Sequence, residues 1–168
     1  MNHHKPFVPT AFDIPERLET DRFILRMLTI HDLVKDYDAV MSSKDHLKGS
    51  YSDVSGSTWP EGLTLEEDLV DLAWHQREFT IRSSFAYTMM APDESVCLGC
   101  VYINPSIKQG YDAMVVLWVR ASELDSGLDD ELYANVKAWI TRDWPFENVA
   151  YPGRDISAAD WNALSDKA

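Results

Sequence analysis

The chain has 168 residues, 45% of them hydrophobic, and a formal net charge of −13. That length suits one domain with a full core and no need of disulfide or metal staples, and that composition excludes wholesale disorder. The acidic excess disfavours a nucleic acid or an anionic membrane surface as partner, since both are held by clustered Lys and Arg, and favours a cationic amine or a basic partner.

Residues 1–16 hold Pro6, Pro9 and Pro15 among few periodic apolar positions, which predicts an extended leader ahead of a single domain over 17–168. In residues 18–28, Phe23, Leu25 and Met27 alternate with Arg22, Ile24 and Arg26, the period of a first strand. Thr29 with Asp32 signals a helix start, and Ile30, Leu33, Val34, Tyr37, Val40 and Met41 follow at helical spacing. Residues 42–60 are rich in Ser, Gly and Asp and predict a long loop. Thr64 with Glu67 is a second start signal, and Leu65, Leu69, Leu72 and Phe79 mark one face of a helix ending near Ser83.

Three strands are expected at 85–91, 97–104 and 113–119. The run Val115-Val116-Leu117-Trp118-Val119 is apolar on both faces and suits a central strand covered on both sides. A third helix over about 127–143 turns Leu128, Leu132, Val136, Trp139 and Ile140 inward and stops at Pro145. Residues 148–151 suggest a short strand, and Ser157 with Asp160 caps a last short helix. The order β-α-α-β-β-β-α-β-α, with central hairpins and then a strand-helix-strand crossover, defines an α/β chain with an α+β mixed sheet.

No run of about 18 apolar residues is present to span a membrane, and no apolar signal core follows Met1-Asn2-His3-His4-Lys5-Pro6, so a cytoplasmic protein with reduced cysteines is expected. Cys97 and Cys100 are spaced C-x-x-C, but no further ligands stand at a zinc spacing, and the surrounding apolar run reads as a strand. The expectation is no metal and two buried, inert thiols on opposite faces of that strand, because positions i and i+3 point opposite ways.

Three places carry a family resemblance. Leu18-Glu19-Thr20-Asp21-Arg22-Phe23-Ile24-Leu25-Arg26 resembles the L-x-T-x-R-L-x-L-R opening of the RimJ/RimL-like branch of the GNAT N-acetyltransferase superfamily. Cys97-Leu98-Gly99-Cys100-Val101-Tyr102-Ile103 is similar to the central iG-x-v-x-l strand of that superfamily. Residues 113–140 occupy the place of the strand-loop-helix unit that holds acetyl-CoA. The resemblance covers about residues 18–164 and implies a GNAT-like fold that transfers an acetyl group from acetyl-CoA to an amine. The chain stops at Ala168, about where the final strand pair of such proteins begins, so a sheet lacking that pair is expected.

GNAT proteins seat the acetyl-CoA diphosphate on backbone N–H groups at a helix N-terminus, through Gln/Arg-x-x-Gly-x-Gly/Ala. Laid on this chain, the first position becomes Leu124, the central glycine is Gly127, and the last small residue becomes Asp129, followed by Asp130 and Glu131. A carboxylate within about 4–6 Å of a phosphate oxygen costs roughly 1–4 kcal/mol at effective dielectrics of about 20–80. Ser126 as N-cap with Asp129 at the third helical position predicts a self-capped helix that needs no phosphate. The expectation is a degenerate cofactor loop that binds acetyl-CoA weakly. By resemblance the contacts come from Leu117, Trp118 and Val119, whose backbone would pair with the pantetheine, and from Ser126, Gly127 and Leu128.

Amine acetylation needs a base for the ammonium proton and an acid for the leaving thiolate. By resemblance the base would be a strand Glu, here Met114, and the acid a Tyr of the last helix, here Trp161. Neither side chain moves a proton. Asp112 and Tyr151 remain as catalytic candidates, with a turn and a packing role as their plainer readings. Arg154, after the strand expected to splay from Trp118, either binds an anionic substrate group or pairs with Asp155. His31, His46 and His75 share no ligand spacing and read as surface or helix-face residues.

Two functions follow: an acetyl-CoA-dependent N-acyltransferase for a small-molecule amine or a protein N-terminus, or a non-catalytic GNAT-fold module that binds a small molecule or a protein. The sheet edge at 148–151, with no strand pair to cover it, predicts a homodimer contact. Light scattering at micromolar concentration checks it: a dimer mass is expected, and a monomer counts against the contact.

Overall fold

The computed structural model describes residues 6–168 and, for residues 50–53 and 55, the backbone alone; residues 1–5 of the expected leader lie outside it. The rest of the leader lies on the domain. Phe7 stacks on Phe146 at 4.9 Å, Val8 is buried, and the Tyr87 hydroxyl donates to the Pro15 carbonyl at 2.6 Å. Arg82 donates to the carbonyls of Pro9 and Phe12.

The expected first strand is a hairpin, with β1 at Arg17–Glu19 and β2 at Ile24–Met27. The Thr20 hydroxyl accepts from the N–H groups of Arg22 and Phe23 and closes the turn between them. This Ser/Thr turn chemistry interrupts an alternation that otherwise runs through it. A short 3-10 turn at Ile30–Asp32 leads into α1 at Leu33–Met41, and the Asp32 carboxylate accepts from the Thr29 N–H at 2.9 Å, as the start signal implies.

The long loop expected at 42–60 is corrected: α2 occupies Lys44–Ser55. Its polar composition hides it; among its described residues Leu47 is buried and Val54 packs partly buried against the same core. α3 spans Leu65–Thr80 behind the Thr64–Glu67 capping box. Its inward face is also corrected. Leu65 and Leu69 are exposed at about 40%, while Asp68 and Leu72 are buried at 2% each, with His75 and Phe79 half-buried along the same i, i+4, i+7, i+11 stripe.

The sheet continues with β3 at Phe85–Met90, β4 at Cys97–Pro105, β5 at Ala113–Val119 and β6 at Val149–Ala150, in spatial order β1-β2-β3-β4-β5-β6. All pairs are antiparallel except β5–β6, which is parallel across the crossover helix α4 at Leu128–Asp143. The mixed sheet is therefore as expected, with the β1 hairpin strand and α2 added to the order. β5 lies fifth rather than central, yet is covered on both faces. Val115, Leu117 and Val119 join Leu128, Leu132, Val136, Trp139 and Ile140 of α4 in one core, while Val116 and Trp118 join the other core with Ala39 and Val40 of α1 and Leu72 of α3. The last helix, α5 at Ala158–Ala163, is capped by Ser157, which accepts from the Asp160 N–H. The segment after it bridges Asp166 to Lys108 rather than adding strands to the sheet.

The thiols are buried and free, but not on opposite faces. Cys97 and Cys100 belong to the same core, because the β3–β4 register shifts between Met89 and Met90 and places both Cys97 and Leu98 against one partner residue. A bulge of this kind reverses the alternation beyond it. Burial pushes the Cys97 thiol up to about 12 and Cys100 higher than the usual range, so neither is a nucleophile at neutral pH. Gly99, between the two cysteines in the strand, lies close against the backbone of β5. A Cβ there would sit 2.0 Å from the Trp118 carbonyl oxygen. Gly99→Ala is expected to lower stability by about 3 kcal/mol, the upper end for overpacking, because backbone rather than a side chain must move. Urea unfolding measures it; a loss below about 1 kcal/mol would mean that β5 yields freely.

Candidate functional site

β5 and β6 pair only at Ala113 with Val149 and Met114 with Ala150. Asp112 fixes this closed end, its carboxylate accepting from the N–H groups of Glu147 and Asn148 at 2.9 and 2.8 Å. Those bonds hold its pKa below the usual carboxylate range. Beyond Met114 the two strands part, as the splay expected near Trp118 requires. The parting opens a cleft of about 350 Å³ lined by Leu117, Trp118, Leu124, Gly127, Asp129 and Arg154, among others.

The floor of the cleft is the start of α4. Gly127 is the N-cap residue at φ +77°, a left-handed conformation that favours glycine, and nothing lies within 4 Å of where a Cβ would project. The expected Ser126 cap is corrected. Ser126 stands one residue too early, its hydroxyl donating to the Glu123 carbonyl at 2.9 Å and accepting from the Leu128 N–H at 3.3 Å. Arg22 holds the loop from the β1–β2 turn, donating to the Ser126 carbonyl and pairing with Glu131 at 2.8 Å.

Asp129 does not cap the helix either. It faces Arg154, whose guanidinium meets its two carboxylate oxygens at 2.8 and 2.9 Å and donates at 3.2 Å to the Leu117 carbonyl. The expected Arg154–Asp155 pair is thereby replaced. Asp155 instead accepts from the Tyr151 N–H at 3.0 Å. Two parallel N–H···O bonds make the Asp129 pair geometrically specific.

The sequence-derived residues thus divide. Leu117, Trp118, Gly127 and Arg154 meet in the cleft. Val119 and Leu128 are buried in the core beneath it. Asp112 lies at the far end of β5, five residues or roughly 17 Å of strand from Leu117. Tyr151 is buried outside the cleft lining, edge-on to Tyr133 at 5.5 Å, and burial raises its hydroxyl pKa so that it stays protonated. Trp161 is buried against Tyr111. The sequence did not mark His46, which lines the cleft from α2, because the helix that carries it was itself hidden.

No protein-family model matches the sequence, and no curated protein sequence does. Solved structures do match the fold. The ribosomal-protein-S5-alanine acetyltransferase of Vibrio fischeri superposes with a TM-score of 0.65 at 14% identity, over 90% of this chain and 81% of that one. An acetyltransferase of Salmonella typhimurium that modifies the N-terminal serine of a 50S ribosomal subunit protein gives 0.59 at 12% identity, over 79% and 71%. The microcin self-immunity acetyltransferase MccE, solved with acetyl-CoA and AMP, gives 0.63 at 11% identity, over 79% and 69%. The chain has the GNAT fold.

The Asp129–Arg154 pair is a polar tie across the cleft made by two hydrogen bonds, with side chains 30% and 22% exposed. Arg154→Ala is expected to cost roughly 1–2 kcal/mol in urea unfolding, above the value for an open surface pair, since the Leu117 carbonyl also loses its donor. No measurable loss would mean that the pair contributes nothing to closing the cleft.

Proposed function

We propose that the protein transfers an acetyl group from acetyl-CoA to an amine and that the cleft at the β5–β6 parting receives the cofactor. The observation that carries this is the parting itself, set over a helix start whose Gly127 faces open space. Neighbours of the same fold are acetyltransferases, one of them solved with acetyl-CoA.

The residues fit a diphosphate in an unusual way. Leu124 supplies no charge, but Arg154 lines the same cleft from the turn after β6. In this reading Arg154 exchanges Asp129 for the diphosphate, and the carboxylate it leaves keeps the affinity low. The carbonyl of Leu117, held by Arg154 in this structure, is freed by the same motion. Tyr151, kept protonated by burial, is the proton donor to test, and His46 is the proton acceptor to test. Asp112 is left as the anchor of the closed end. The acceptor is an amine of a small molecule or a protein N-terminus, the latter being the kind of substrate named for the Salmonella typhimurium neighbour.

Calorimetry with acetyl-CoA tests the premise. Weak binding is expected, tightened roughly 5- to 10-fold in Asp129→Asn, about 1 kcal/mol for removing one nearby carboxylate at high effective dielectric, and weakened in Arg154→Ala. Absence of heat at millimolar ligand in both the parent and Asp129→Asn sinks the proposal.

A further inference from the structure

A second cavity of about 290 Å³ lies between α1, α3 and β4, on the other side of Trp118 from the cleft. Trp118 lines the cleft, and its indole N–H donates to the Tyr102 hydroxyl, while Tyr102 and Trp59 line this second space. Three carboxyls face it: Asp36 from α1, and Asp68 and Asp71 from α3. Asp36 and Asp68 are buried, at 4% and 2% exposure. The Asp68 Oδ2 atom is covered and meets no N–H or hydroxyl donor in the structure.

A buried carboxylate without a donor is unstable unless a cation or a proton joins it. Here the two buried carboxyls hydrogen-bond to each other and so share a proton. Burial first, then the charge of Asp68 and its neighbours, holds the Asp36 carboxyl well above the usual range, and burial raises Asp68 to about 6. No internal base answers them. Among the described residues that line the cavity there is no Lys or Arg. Arg26 of β2 is spent on Asp32 and Glu94. His75 is pushed down to about 4 by burial and stays neutral, and the buried Cys97 and Cys100 of β4 stay protonated.

We propose that this cavity binds a primary alkylammonium, with the nitrogen on Asp68 and Asp36 and the carbon chain between Trp59, Trp74 and Tyr102. The ammonium brings the donors that Asp68 lacks, and the aromatic walls hold it by cation–π attraction and shield its alkyl carbons. A metal ion is the poorer occupant, since no group of three or more His, Cys, Asp or Glu side chains is arranged to hold one among the described residues. The volume, near the lower end of small-molecule sites at roughly 300 Å³, restricts the ligand to a small amine. Trp74, 53% exposed, stands where the chain leaves to solvent. The net charge of −13 steers cations towards it. This ligand class coincides with the amine acceptor of the reading above, but the argument rests on this cavity alone.

The pH dependence follows from the same groups. Above about 6, Asp68 is ionised, Asp36 keeps its proton, and the pair carries one negative charge for one ammonium. Below that the pair is neutral, and affinity is expected to fall about tenfold per pH unit, the slope for one proton. Asp71, also raised by burial, protonates in the same direction and does not reverse the sign. For stability, a carboxyl raised in the folded state contributes fully below its unfolded value and loses that contribution as pH rises through about 6. Asp68→Asn therefore raises the Tm of the ligand-free protein at pH 7.5 and leaves it unchanged at pH 4, whereas a carboxylate with a purely structural partner would lower Tm when replaced.

The test is a titration of the full chain with n-butylammonium, 1,4-diaminobutane and tetramethylammonium chlorides at matched ionic strength, followed by Tm and by the indole N–H signals of Trp59 and Trp74. Saturable binding of the two primary amines is expected, with tetramethylammonium at least about tenfold weaker because it has no N–H donor. Asp68→Asn is expected to abolish it, and Trp74→Leu, a change at the exposed mouth that leaves the core intact, to weaken it. Equal response to tetramethylammonium, a response unchanged in Asp68→Asn, or no saturable response by about 10 mM overturns the proposal. Acetyl-CoA calorimetry on the same sample separates the two readings: amine binding without acetyl-CoA heat leaves this one standing, and acetyl-CoA heat without amine binding removes it alone.

Discussion

Two register pairs tie β6 to the rest of the sheet, and the architecture of the cleft depends on how few they are. Asp112 makes the tie possible. Its carboxylate gathers the N–H groups of Glu147 and Asn148, so the chain arriving from α4 docks beside β5 without a longer ladder. Everything past Met114 is then free to diverge. The divergence leaves the Leu117 carbonyl without a strand partner, and a buried carbonyl must find a donor. Arg154 is that donor, and it reaches Leu117 from a turn that exists because β6 ends after two residues. A longer β6 would close the cleft and remove the need for Arg154 together.

The opposite side of the same strand is set by Gly99. Its missing side chain lets the Trp118 carbonyl approach β4, and the bulge beside it turns Cys97 and Cys100 into one core. β5 is therefore held hard on one edge and released on the other. This asymmetry gives Trp118 a fixed place, with its ring in the α1–α3 core, its indole N–H on Tyr102 and the residue among those that line the cleft.

What was legible in the sequence was local. The boxes at Thr64 and Ser157 start helices because each satisfies an N–H group within three residues. The inward face of α4 reads correctly because every inward position is apolar. Three features were not legible, each for a physical reason. α2 is held by tertiary contacts of a few side chains, so its composition resembles a loop. The hairpin turn at Thr20 rests on one hydroxyl within an unbroken alternation. The face of α3 was misjudged because Leu65 and Leu69 stood out as apolar, while the buried stripe through Leu72 carries Asp68 and His75. A polar residue at a core position was the signal available there. In the site, Gly127, Leu117 and Trp118 followed from the resemblance of one strand-loop-helix unit to the GNAT cofactor unit. The Asp129–Arg154 pair did not, because it joins residues 25 apart in sequence through the return of β6, and Asp155 was the nearer partner on paper.

The two cavities beside Trp118 show how one acidic chain handles buried carboxylates differently. In the cleft, Asp129 has an arginine, and the pair is neutral as it stands. An anion entering there must compete with Asp129 for Arg154, so any anionic ligand is bound against an internal rival. In the α1–α3 cavity, Asp36 and Asp68 have only each other and a proton. A cation entering there meets no Lys or Arg among the described lining residues, and only a proton competes with it below about pH 6. The same physics therefore makes the first site reluctant and the second receptive. On the cleft side of Trp118 an anion must displace Asp129 from Arg154, while on the other side the buried carboxyls offer the stronger electrostatic reason to bind.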